Sequence, residues 1–152
     1  MATAPFPRHH GPMERSITVD VAAPAEHVWQ VLSDVGRWPG WTPSVTSVRQ
    51  ADEGPLRVGA RVTLSQPRLP TSEYVVTELV PGRTFTWVAT RPGVRTTARH
   101  DVAALDDGTR VRLSVTQSGW LGAAMGRIYR GLTDRYLAAE ANGLRSRCEE
   151  HR

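Results

Sequence analysis

The chain contains no lysine; all 19 of its basic residues are arginine. That absence removes Schiff-base catalysis, a P-loop phosphate site and a lysine general base. Cysteine is almost as scarce. Cys148 is the single one, so neither an internal disulfide nor a cysteine-rich zinc module is open to the protein. Cys148 sits among charged residues near the C-terminus and reads as a bystander. No stretch approaches 18 consecutive apolar residues, which argues against stable membrane insertion. The motifs G-x-S-x-G, H-E-x-x-H and G-x-G-x-x-G are missing, and no Cys/His set has metal spacing. Neither a metal nor another cofactor is expected. The net charge is +4, but the arginines are scattered and no aromatic residues interleave them, so nucleic acid is a poor partner.

What remains is an ordinary globular composition. The 152 residues are 39% hydrophobic, a size and content that suit one domain with its own core. Residues 1–13, MATAPFPRHHGPM, carry three prolines and no periodicity, and they lack the apolar segment of a signal peptide. The expectation is a disordered tail on a cytoplasmic protein, a single domain over 14–148 and a short C-terminal tail at 149–152.

Along that domain, Ile17, Val19 and Val21 alternate with Ser16, Thr18 and Asp20, the period of a half-buried strand. Pro24 opens a helix whose apolar stripe is Val28, Trp29, Val31 and Leu32, and Gly36 is placed to stop it. The segment RWPGWTPS is too broken for more than a short helical turn. Six strands are expected at 45–51, 59–66, 71–80, 83–91, 94–105 and 109–118. Gly54-Pro55, Pro81-Gly82, Pro92-Gly93 and Asp107-Gly108 mark turns between them, which predicts an antiparallel meander. One amphipathic helix is expected over about 120–148, with Leu121, Met125, Ile128, Tyr129, Leu132, Tyr136, Ala139 and Leu144 on its apolar stripe. Trp120 reads as an anchor at its start. Four glycines in the helix weaken it by about 1 kcal/mol each and invite a bend or a close approach.

The order predicts an α+β fold: a seven-stranded antiparallel sheet, two short helices after the first strand, and one long helix across the sheet. A strongly twisted sheet of that size curls, and one helix about 10 Å across cannot fill its concave side. Large side chains, water or a ligand must occupy the remainder.

The runs ITVDVAAPAEHVWQVLSDVGRWPGWTPSVTSV, PGRTFTW and GVRTTARHDVAALDDGTRV together resemble the START-like, Bet v 1-like superfamily. Within it the resemblance is to the bacterial polyketide cyclase/dehydrase and lipid-transport group, over about residues 14–148. The resemblance implies a helix-grip fold with a hydrophobic cavity between the sheet and the C-terminal helix. It leaves the ligand open, because such folds serve cyclases, aromatases, lipid carriers and sensors alike.

Strand alternation nominates the residues that face this cavity: Tyr74 and Val76; Phe85, Trp87 and Ala89; Thr96, Ala98, His100 and Val102; Val111, Leu113, Val115 and Gln117. His100 lies on a small, apolar strand face, either as a ligand contact and general base or as a satisfied core histidine. Spacing places no second histidine or carboxylate beside it. Trp38 and Trp41 either border the cavity mouth or plug the core at the sheet's edge. Tyr129 and Tyr136 need hydroxyl partners, from ligand or backbone. Arg91, beside the Pro92-Gly93 turn, is the arginine placed to reach the mouth, with a solvated surface charge as the alternative. The candidate ligand contacts are thus Trp38, Trp41, Tyr74, Phe85, Trp87, Arg91, His100, Gln117, Met125 and Tyr129. Three functions compete: a carrier or sensor of a small hydrophobic ligand, polycyclic or polyketide-like ones included; a polyketide cyclase, aromatase or dehydratase; and an interaction module with a filled cavity. A monomer and a homodimer fit equally.

Overall fold

A computed structural model describes residues 14–150; the tail expectation for residues 1–13 lies outside them. Strand β1, Glu14–Val21, is followed by helix α1, Ala25–Ser33, and a 3-10 turn, Val35–Gly40. Five strands lead to the last: β2 (Ser47–Gln50), β3 (Arg61–Ser65), β4 (Ser72–Val80), β5 (Thr84–Arg91) and β6 (Val94–Leu105), then β7 (Gly108–Ser118). Two helices close the chain, α2 at Gly122–Ile128 and α3 at Arg130–Glu150.

All seven strands form one antiparallel sheet in the order β1-β7-β6-β5-β4-β3-β2. Every connection from β2 to β7 joins neighbours, as the regular turns require. The first strand returns to pair with the last, with Ile17 opposite Leu113 and Val19 opposite Val111. A bulge between Val76 and Glu78 breaks the β4–β5 register, a feature that bends the strand carrying it.

The terminal helix is interrupted, where the sequence predicts it continuous. Tyr129 leaves the helical conformation (φ −98°, ψ 9°) and separates α2 from α3, with Gly126 and Gly131 on either side, as glycine commonly is at a kink. The break shifts the phase of the apolar stripe. In α3 the buried residues are Leu137, Glu140, Ala141, Leu144 and Cys148, while Ile128, expected to face inward, is 66% exposed. Cys148 is therefore a core residue and not a bystander, because the last turns of α3 stay packed against the sheet and α1. Trp120 is 82% exposed and anchors nothing in the core; it lies across the Gly93 turn instead. Helix α1 ends at Ser33, before the expected stop at Gly36.

One expected close approach is present. A Cβ on Gly143 would lie 2.0 Å from the Trp41 carbonyl oxygen. Only glycine lets α3 seat so tightly on the loop that follows the 3-10 turn.

Candidate functional site

Cross-strand register builds the inner face of the sheet in rows, because residues directly opposite on paired strands share a side. One row runs Phe85–His100–Leu113–Ile17. The next is Val76–Trp87–Ala98–Val115, and the next Ala89–Thr96–Gln117. The first row is packed solid. His100 stacks on Phe85 with ring centroids 4.1 Å apart, and Trp87 meets it edge-on at 5.4 Å. Trp38 closes the group 5.6 Å from His100 and 5.3 Å from Trp87. The Trp38 indole N–H donates to the Leu32 carbonyl at 3.0 Å, which secures a buried polar atom at the end of α1.

Beyond this wall the rows carry smaller or polar residues, and space opens. A pocket of about 60 Å³ lies against Trp38, Trp87, Ala98, His100 and Glu140. Next to it, sharing Gln66, Tyr74, Val115, Leu137 and Glu140 as walls, is a chamber of about 210 Å³. The chamber reaches the surface between the β3–β4 loop (Gln66, Leu69, Pro70), Arg91 and the helix junction (Met125, Tyr129, Thr133, Tyr136).

Of the ten nominated contacts, Tyr74, Arg91, Gln117, Met125 and Tyr129 line the chamber, and Trp38, Tyr74, Trp87 and His100 line the inner pocket. Two are placed elsewhere. Phe85 lines neither space, since His100 stacks over it. Trp41 packs behind Trp38, 5.6 Å away, and faces a different cleft. Arg91 sits exposed at the rim of the chamber. Its guanidinium donates to the Thr71 carbonyl at 2.6 Å and reaches the Ser72 hydroxyl at 3.3 Å, which ties the start of β4 to the end of β5. Thr96 donates to the Gln117 side-chain oxygen at 2.7 Å, and the Tyr136 hydroxyl donates to the Pro67 carbonyl. Arg68, in the same rim loop, holds a left-handed backbone (φ 67°) that costs a non-glycine residue about 1–2 kcal/mol. Strain of this kind is commonly kept at ligand clamps.

Glu140 is the residue that sequence reasoning missed. It projects from α3 into the boundary between the two spaces. Its Oε1 is buried without a hydrogen-bond partner and lies 3.9 Å from His100 Nε2. One signal could have found it: Glu140 stands four residues after Tyr136 and four before Leu144, a carboxylate in the middle of an apolar stripe. Burial pushes its carboxyl up to about 8, so it is the neutral acid at pH 7. Burial likewise pulls His100 down to about 4, partly offset by its backbone hydrogen bond. His100 Nδ1–H donates to the Phe85 carbonyl at 3.2 Å. That bond fixes the tautomer and leaves Nε2 as a lone-pair acceptor facing Glu140. The pair is thus neutral and too far apart for a direct hydrogen bond. Burial also pushes Tyr74 up to about 12, with Glu140 adding to the effect and Arg91 opposing it.

Among the described residues no cluster of His, Cys, Asp and Glu could hold a metal ion, and no helix is long and apolar enough to cross a membrane.

The fold is shared widely among solved structures. A hypothetical protein, jhp0584, from Helicobacter pylori superposes with a TM-score of 0.76 at 16% identity, over 97% of this chain and 99% of that one. A START superfamily protein from Mycobacterium smegmatis gives 0.68 at 19% identity, over 90% of this chain and 97% of that one. The Zhui aromatase/cyclase from Streptomyces sp. R1128 gives 0.68 at 22% identity, over 90% and 93%. At these identities the likeness speaks for the fold alone. No curated protein matched the chain. The family profile described as polyketide cyclase / dehydrase and lipid transport matches residues 13–149. With the helix-grip architecture and an open chamber between sheet and helix, the chain belongs to the polyketide cyclase / dehydrase and lipid transport family.

Proposed function

We propose that the protein binds a compact, ring-bearing ketone in the chamber and removes water from it, as a small cyclase or dehydratase. The observation that carries this reading is Glu140: a buried, proton-bearing carboxyl with an unpartnered oxygen, facing the cavity beside a histidine that has a free lone pair. Buried polar groups ordinarily find a partner, and a ligand hydroxyl or carbonyl would supply one here.

Size narrows the ligand. An apolar cavity of about 150 Å³ holds benzene, and typical ligand pockets run about 300–1,000 Å³. A chamber of about 210 Å³ with an inner extension of about 60 Å³ suits one or two rings.

For a β-hydroxy ketone the chemistry balances within the site. Glu140 gives its proton to the β-hydroxyl, which departs as water. His100 Nε2 takes the α-proton, and the electrons of that C–H bond form the new C=C bond. The neutral pair becomes a carboxylate and an imidazolium 3.9 Å apart, an arrangement that low dielectric favours over either charge alone. The released water, between the two groups, relays the proton from His100 back to Glu140 and restores the starting state.

A carrier that binds without reacting is the second reading, supported by the apolar walls that Leu69, Val94, Val115 and Leu137 give the chamber. One compound separates the two. 3-Hydroxy-1-tetralone has two rings and becomes 1-naphthol on losing water, a change followed by fluorescence. The expected result is catalysed formation of 1-naphthol that Glu140→Gln abolishes while binding persists. Binding without turnover supports the carrier. No binding, with the chamber's NMR signals unmoved, overturns both readings.

A further inference from the structure

We propose a second ligand site, for a small oxyanion, in the cleft between α1, the 3-10 turn and the C-terminal end of α3. The cleft has a volume of about 270 Å³ and is separate from the chamber, with which it shares no lining residue. Its walls are His27, Gln30, Val31 and Asp34 of α1 and its cap, Arg37 and Trp41, and Arg147 of α3.

Three observations give the cleft its chemistry. First, the Trp41 indole nitrogen is buried and has no hydrogen-bond partner, and an indole N–H can only donate. Second, His27 also lines the cleft, and its Nε2 is buried and equally without a partner. Two orphaned polar atoms on residues that line one recess point to an occupant there, because leaving each unpaired costs as much as a lost hydrogen bond. Third, the charge balance favours an anion. The Asp34 carboxylate is engaged by Arg37 at 3.3 Å. Arg147 also lines the recess and, among the described residues, has no ion-pair partner, so the two arginines outnumber the one carboxylate there. A carboxylate or phosphate oxygen would accept from Trp41 and Arg147 together, and a guanidinium suits such planar, charge-assisted contacts.

The recess is also held in shape. Gly143 seats α3 directly on the Trp41 backbone, and the Trp41 ring packs at a tilt against Trp38, with centroids 5.6 Å apart. The donor therefore stays oriented without a ligand, which lowers the ordering cost of binding.

The test follows the indole N–H signals of the five tryptophans by NMR, with Trp41→Phe assigning the relevant peak. Inorganic phosphate and benzoate are titrated separately. The expected result is a saturable shift of the Trp41 signal with at least one probe, and about a tenfold or greater loss of affinity in Arg147→Gln. Saturation by phosphate alone identifies a phosphate-type ligand; saturation by benzoate alone identifies an organic carboxylate. Trp41→Phe keeps an aromatic ring and removes the donor, and should weaken binding with the fold intact. Arg91→Gln, at the rim of the chamber, should leave the affinity unchanged. No saturable shift with either probe, or equal affinity in Arg147→Gln, overturns the proposal. Neither result bears on the chamber, whose ligand is tested independently.

Discussion

Glu140→Gln should flatten one segment of the protein's dependence of stability on pH. Burial raises the folded-state carboxyl from 4.5 to about 8. Between those values the unfolded chain has released the proton and the folded chain still holds it, so stability falls as pH rises. His100 acts in the opposite sense lower on the scale. Its folded-state value is depressed from 6.5 to about 4, so below 6.5 the unfolded chain takes up a proton that the folded chain refuses, and stability falls as pH falls. The two slopes oppose each other between 4.5 and 6.5, which leaves Glu140 acting alone between 6.5 and 8. At about 1.4 kcal/mol per pKa unit, that interval costs the wild type about 2 kcal/mol. In a chain of this size the loss corresponds to roughly 4–8 °C in Tm. Glutamine keeps the shape and has no proton to lose. Urea unfolding of both proteins at pH 6.5 and pH 8 gives the comparison, since other titrating groups are common to the two. The stability difference between them should change by about 2 kcal/mol across the interval, in favour of the variant at high pH. A difference that stays constant would mean that Glu140 is not held as a buried neutral acid, and the chemistry assigned to it would fail with it.

Two further outcomes test the packing around the site. Trp87→Ala removes a side chain that is 1% exposed and touches Trp38, Tyr74, Phe85 and His100; it should cost about 3–5 kcal/mol in urea unfolding, and a cost under about 1 kcal/mol would refute its placement. Gly143→Ala should destabilise by about 1–3 kcal/mol despite the better helix propensity of alanine, because its methyl group meets the Trp41 carbonyl. An unchanged or raised Tm would show that α3 does not seat there.

The strands were legible because period-2 alternation and glycine or proline turns are local signals. Trp87, Ala98 and His100 face the cavity as alternation requires, and the strand limits differ from expectation by only a residue or two. The helical half was harder to read. A continuous stripe assumes one phase from residue 120 to 148, and the break at Tyr129 resets it, so Ile128 faces out and Leu137 faces in. Trp120 shows the same weakness: a large aromatic beside a helix start carries no local sign of which way it points. Strand face nominates Phe85 and neighbourhood nominates Trp41, and neither criterion reports what packs in front of a side chain. Glu140 escaped because a charge on a helix ordinarily reads as solvated, and only the tertiary fold shows that this one is buried.

The interruption at Tyr129 divides the labour of the terminal helix. Ala141, Leu144 and Cys148, three turns and more beyond it, line neither space and grip the core. Met125, Tyr129 and Thr133, at or near it, border the chamber. Substitutions in the guest-facing stretch can therefore reshape what the protein admits while the gripping stretch keeps its register. A single rigid rod would transmit every such change along its full length; a jointed one lets selectivity vary without loosening the anchor.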